Sequence, residues 1–217
     1  MPHKKIMKKK KIRTLIIALL VIILAIIILV NVIGKKGENQ ESKLVNIYNE
    51  LSTSSTYICT IEQNDNNKTI MAKKDNKTAI DQYSGESHST TIVDSENTYL
   101  VLHDRQEYYI YKGNNVEQSI LTDGIKELLN KKYTVGNEKI RGKNYTYEEY
   151  EGSTVFMISN TPQLNEEGVK TRIYFSKDSK IAYVKTIFGD QDELLKVKLS
   201  SDIDNALFEI PANYAEN

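Results

Sequence analysis

The sequence predicts an α+β fold: a curved antiparallel sheet, or half-barrel, with short helices on its concave face, preceded by one transmembrane helix. Three observations predict it. An uncharged apolar run fills residues 14–33. A dozen short segments rich in β-branched and aromatic residues follow, and helical spacing occurs at only two places among them.

Between Thr14 and Ile33 sixteen of twenty residues are Leu, Ile or Val, interrupted by Thr14, Ala18, Ala25 and Asn31 alone. At 1.5 Å per residue the run is about 30 Å long, the thickness of a bilayer's hydrocarbon core. It is too long for the apolar region of a cleaved signal peptide. Val32-Ile33-Gly34, followed by Lys35 and Lys36, is also a poor match to a small-residue cleavage site. A signal-anchor is expected, with residues 1–13 as a cytoplasmic basic tail, 14–33 as the span, 34–42 as a linker and 43–217 as an extracytoplasmic domain. Lys4, Lys5, Lys8, Lys9, Lys10, Lys11 and Arg13 precede the span, whereas only Lys35 and Lys36 follow it closely, so the N-terminus is placed in the cytoplasm of a single-pass cell-membrane protein.

The neutral net charge of the whole chain conceals this asymmetry. Residues 1–36 hold nine of the 29 Lys and Arg and no Asp or Glu, leaving residues 37–217 with 20 cations against 29 anions, a formal charge of −9. Such a surface repels polyanions, and no nucleic-acid partner is expected. Only four cations are Arg, while Ile, Asn and Tyr are abundant, as in low-GC bacterial coding. Cys59 is the only cysteine, which excludes an internal disulfide framework and leaves stability to a hydrophobic core. No Gly/Ser linker divides the domain.

The first expected element is an amphipathic helix placing Leu44, Ile47, Tyr48 and Leu51 on one face. Strands are expected at 57–61, 69–74, 78–83, 90–94, 98–102 and 107–111. Residues 116–132 then return to helical spacing, with Ile120, Leu121, Ile125, Leu128 and Leu129 on one side and Gly124 predicting a break between two short helices. A second set of strands is expected at 133–142, 144–150, 154–159, 171–176, 181–188 and 193–200. Lys74-Asp75-Asn76-Lys77 and Lys177-Asp178-Ser179-Lys180 read as hairpin turns. In the last strand Leu195, Val197 and Leu199 alternate with Lys196 and Lys198, as in an antiparallel sheet with one dry face. So many strands exceed what a flat sheet carries before curling.

The order helix, meander, central helix, meander, closed by Leu207-Phe208-Glu209-Ile210-Pro211-x-x-Tyr214, resembles the LolA-like superfamily. That grouping of lipoprotein-carrier-like half-barrels includes Gram-positive envelope proteins with a single membrane anchor. The resemblance covers roughly residues 43–217 and implies an apolar concavity suited to acyl chains. It implies a lipid or lipidated peptide as ligand, or alternatively a cell-envelope protein partner met by a module whose cavity is filled by its own side chains. The chain departs from the carriers in having no Trp and in being tethered. Pro211 holds Ile210 extended, so Phe208 and Ile210 are expected to pin the C-terminus to the core.

No catalytic, cofactor-binding or metal residue is assigned, no ligand-binding residue is specified, and no enzyme is expected. Cys59, His103 and Asp104 could be written as a nucleophile, base and orienter, but Cys59 lies in an apolar strand pattern where a free Cys behaves as a buried hydrophobe. His3, His88 and His103 are the only histidines, and His88, His103 and Cys59 are not read as a zinc site. Gly189-Asp190-Gln191-Asp192-Glu193 lacks the spacing of a calcium loop and reads as a turn. Glu148 and Glu149 alternate to opposite strand faces and cannot share a substrate. Tyr145 with Tyr147, and Tyr109 with Tyr111, read as volume-filling residues. The triplets at 67–69, 76–78 and 144–146 match a glycan acceptor pattern, without consequence in a bacterial chain.

Overall fold

The computed structural model describes residues 41–113, 120–152 and 168–217. The expected span at 14–33, the expected strand at 154–159 and the start of the 116–132 segment lie outside the described residues. Among the described residues no helix is long and apolar enough to cross a membrane.

Helix α1 (Lys43–Thr53) begins where Ser42 accepts a hydrogen bond from the Leu44 amide, and it buries Leu44, Ile47 and Leu51 at the spacing the sequence predicts. Six strands follow as a meander: β1 (Thr56–Asn64), β2 (Asn67–Lys74), β3 (Lys77–Ser84), β4 (Ser87–Val93), β5 (Asn97–Leu102) and β6 (Glu107–Lys112). Helix α2 (Ile120–Leu129) precedes the second meander of β7 (Tyr133–Ile140), β8 (Lys143–Glu151), β9 (Val169–Phe175), β10 (Ile181–Phe188) and β11 (Gln191–Ser200). A 3-10 turn (Asn205–Phe208) and a two-residue strand β12 (Ala215–Glu216) complete the chain.

The twelve strands of the described residues join one open, curved sheet in the order β12-β6-β5-β4-β3-β2-β1-β11-β10-β9-β8-β7. The two meanders meet where β1 pairs with β11 (Ile61 opposite Val197), and every pairing is antiparallel except β12 with β6. Both expected hairpin turns form, with Asp75 and Ser179 in the left-handed region at φ of 54° and 61°. Gly189 and Asp190 turn β10 into β11, so the acidic 189–193 segment does hold a hairpin turn, but Gln191, Asp192 and Glu193 already belong to β11.

Gly124 does not break the helix: α2 runs through it. A glycine inside a helix costs about 1 kcal/mol against alanine. Burying Leu121, Ile125 and Leu128 outweighs that at about 1.5–3 kcal/mol for each side chain.

Both helices contribute to one core on one face of the sheet, where Leu44, Ile47, Leu51, Leu121, Ile125 and Leu128 pack with Tyr57, Cys59, Ile61, Ile173, Val184, Leu195 and Val197. The alternation predicted in β11 holds, since Leu195 and Val197 are buried while Lys196 and Lys198 are exposed. On the opposite face a smaller cluster joins Phe208 to Ala72 and Ala79, with Ile58, Ile203 and Leu207 alongside. The C-terminus is therefore pinned by Phe208 as expected, but to this second cluster and not to the helix-covered core.

Candidate functional site

Cross-strand pairing assigns each residue to a face. On the helix-bearing face Cys59 stands opposite Met71, Met71 opposite Ile80, Ile80 opposite Thr91, Thr91 opposite Leu100 and Leu100 opposite Tyr109. Cys59 ends this row in the core with no exposure, and burial pushes its thiol up to about 12. Met71 packs at the border of that core. Ile80, Leu100 and Tyr109 belong to neither core cluster and are only half-buried, so an apolar strip leads across β3 to β6 away from the helices. Val93 is fully buried beside it. Tyr111, farther along β6 on the same face, is 48% exposed and does not fill the core.

Two clefts lie elsewhere. One of about 450 Å³ is rimmed by the 74–77 turn, Asp94, Ser95, Glu96, Asn205 and Glu209, with Phe208 in its wall. Another, of about 310 Å³, separates α1 from β1, the end of β11 and the 178–180 turn. Charged and polar groups supply most of the first rim, which suits it poorly to an acyl chain.

The other face of the first meander carries a polar cluster. Asp81 is buried on β3, and its Oδ1 meets His88 Nε2 at 2.7 Å and accepts the Thr90 hydroxyl at 2.7 Å. With its proton committed to Asp81, the Thr90 oxygen accepts from His103 Nε2, also at 2.7 Å. In the neutral ring the remaining His103 Nδ1 then accepts from the Tyr214 hydroxyl at 3.0 Å. The rings form a ladder: Tyr83 stacks on His88 at 4.0 Å between centroids, His88 on His103 at 3.8 Å, and Tyr214 meets His103 edge-on. Lys68 caps the far end, 4.2 Å above Tyr83. Burial first, and then the neighbouring His88, push the His103 pKa below its ordinary value.

This cluster bears on two readings made from the sequence. Cys59 and His103 lie on opposite faces of the sheet, so the nucleophile–base arrangement does not exist, and Asp104 instead accepts the His88 backbone amide. His88 and His103 do come together as potential metal ligands, with Asp81 and not Cys59 as their companion; the ligand atoms of Asp81, His88 and His103 all lie within 4.8 Å of one another. Sequence reading missed Asp81. The signal was the tight turn at Gly85-Glu86, because counting outward from it sets His88 opposite Tyr83 and Thr90 opposite Asp81.

Glu148 and Glu149 separate to opposite faces as expected. Glu148 is buried on the helix-bearing face, where its carboxyl takes the Ser42 and Tyr150 hydroxyls and the Lys43 amide at 2.6–2.7 Å. Glu149 joins an ionic lattice on the other face, held by Arg172 at 2.6 Å and Lys170 at 3.3 Å, while Glu138 binds Arg172, Lys185 and the Tyr174 hydroxyl. Tyr145 and Tyr147 pack here against Tyr183 and Tyr174 and stay half-buried, outside the main core.

No family model matches this sequence, and no curated protein matches it. Among solved structures, an uncharacterized conserved protein from Thermus thermophilus aligns over 81% of this chain and 96% of its own, at 8% identity and a TM-score of 0.45. The Mycobacterium tuberculosis lipoprotein LppX aligns over 75% of this chain and 97% of its own, at 14% identity and a TM-score of 0.43.

Proposed function

We propose that residues 43–217 form an extracytoplasmic, non-catalytic binding domain, held in the membrane by residues 14–33, whose helix-bearing face takes an acyl chain of a lipid or lipidated peptide. The observation that carries this reading is the strip Met71, Ile80, Leu100, Tyr109. At about 4.8 Å per strand, the path from β2 to β6 is roughly 19 Å long, a track of apolar and aromatic side chains crossed on β4 by Thr91 and leading out of the packed core. Each methylene laid along it and removed from water contributes about 0.8 kcal/mol. This is also the function that the resemblance to the LolA-like superfamily implies. The aliphatic run and the seven preceding cations support the anchoring and its orientation.

The full chain, expressed in bacteria fed a photoreactive fatty acid, tests the reading. Cross-links are expected on β3, β5 and β6, and Ile80→Asp with Leu100→Asp is expected to abolish them while the chain remains folded. Cross-links confined to residues outside the strip, or none, would overturn it. Protease added to intact cells with a permeable wall is expected to digest residues 43–217; a protected domain would refute the orientation.

A second reading, an envelope module that binds another protein, draws on the same face. Beneath the helices Cys59, Ile61, Ile125 and Leu128 have no exposure, so that half of the cavity is filled by the chain itself. Recovery of one protein and no lipid at Ile80 and Leu100 would favour it.

A further inference from the structure

We propose that Asp81, His88 and His103 form a binding site for a first-row divalent transition-metal ion of the zinc type. It lies on the sheet face opposite the apolar strip, so it stands or falls independently of lipid binding.

Two imidazoles and one carboxylate are the donor set that such ions take with positions left for water or a further ligand. Calcium and magnesium require more oxygen donors than the cluster offers. Asp81 and His88 lie on β3 and β4 and His103 directly follows β5, which makes the geometry a product of sheet register: Asp81 stands opposite Thr90, and His88 and His103 are joined by a backbone bond from the His103 amide to the His88 carbonyl. Around an ion with bonds near 2.1 Å the ligand atoms stand about 3.4 Å apart, so the Asp81–His88 pair at 2.7 Å has to open and the wider separations, all within 4.8 Å, have to close. Rotation of the two rings supplies this, since both are half-buried and His88 keeps 28% of its side chain exposed. Asp81, the buried member, provides the fixed point.

The surrounding hydrogen bonds already gather the donor atoms. Thr90 now occupies the space between Asp81 and His103 and holds their donor atoms toward one another. With the ion bound at Nε2, each neutral ring keeps its single proton and carries it on Nδ1 instead, and in His103 the Tyr214 oxygen turns to accept it. A histidine ligand whose other nitrogen is fixed by a partner is the usual arrangement of a protein metal site. Tyr214 precedes β12, so occupancy would also fasten the C-terminal strand to the edge of the sheet. The acidic balance of the domain favours cations.

The full chain carrying His3→Ala, purified without a histidine tag, has only two histidines, so its imidazole proton spectrum reports the site directly. One equivalent of Zn²⁺ is expected to move both resonances, and Co²⁺ to give the visible bands of a four- or five-coordinate site. By calorimetry Asp81→Asn and His103→Gln are expected to lower affinity by about 100-fold or more, and Tyr214→Phe by about 10-fold. Unmoved resonances at one equivalent would overturn the proposal even where a substituted chain fails to fold, and so would affinity unchanged in Asp81→Asn.

Discussion

Two polar clusters occupy the same face of the sheet, one on each meander, and they are built on opposite electrostatic plans. In the second meander Glu138, Glu149 and Asp192 are matched by Arg172, Lys170 and Lys185. Burial pushes the Glu138 pKa upward, but hydrogen bonds from Tyr174, Lys185 and Arg172 overcome it and leave the carboxyl below its usual range; Glu149 follows the same balance, with Arg172 prevailing. Burial pulls the Arg172 pKa down, and its hydrogen bonds with Glu149, Tyr174 and Glu138 more than reverse this. In the first meander the buried Asp81 is met by the His88 imidazole and the Thr90 hydroxyl, with His103 held one step away on Thr90, and no Lys or Arg is paired with it among the described residues. A closed set of fixed charges is a brace. A carboxylate beside two imidazoles, with no fixed cation paired to it, is receptive to a cation.

The largest expected effect breaks the brace. Arg172→Ala leaves Glu138 to Lys185 and Tyr174 and Glu149 to the longer pair with Lys170, and is expected to destabilise the chain by about 2 kcal/mol in denaturant unfolding, against about 1 kcal/mol for Asp81→Asn, which keeps an acceptor for Thr90. Equal losses would erase the distinction. Next comes Gly136→Ala, whose new methyl would collide with the Tyr147 ring and push it from its place 4.6 Å from the Arg172 guanidinium; a loss of about 1–2 kcal/mol is expected in the same assay.

The pH dependence sharpens the contrast further. His103 has a depressed pKa in the folded chain, so its contribution is present above its ordinary value of 6.5 and fades as pH falls through the folded value. Glu138 and Glu149 are also depressed, but from 4.5, so their contribution persists until the pH drops below that value. Metal-free thermal melts should therefore lose stability in two stages on acidification, and His103→Gln should flatten only the upper one. Tyr214→Phe removes one hydrogen bond and is expected to cost about 0.5–1 kcal/mol. Smallest of all, Lys196→Ala breaks an exposed pair with Glu62 and should change stability by less than about 0.5 kcal/mol.

Most of the architecture was legible in the sequence because it rests on local rules. Alternation set the dry face of β11, and turn chemistry placed the hairpins at Asp75, Ser179 and Gly189. What local rules could not supply was the competition between neighbours. Gly124 carries a breaking signal that burial of Leu121, Ile125 and Leu128 overrides. β12 is two residues long, pairs in parallel with β6 and shows no alternation to read. The Asp81–His88–His103 cluster was hidden for a different reason: each residue is ordinary in its own segment, and only the pairing of β3, β4 and β5 brings their side chains together. The candidate metal ligands were thus a property of register, whereas the apolar strip was already implicit in strands rich in Ile, Leu and Tyr.

The carboxyl clasp at the start of α1 has a mechanical consequence. Glu148 grips Ser42 and the Lys43 amide across more than a hundred positions of chain. Tension applied at Glu41 is delivered to strand β8 before the first helical turn can unwind, so the domain resists being peeled from the end by which it would be tethered.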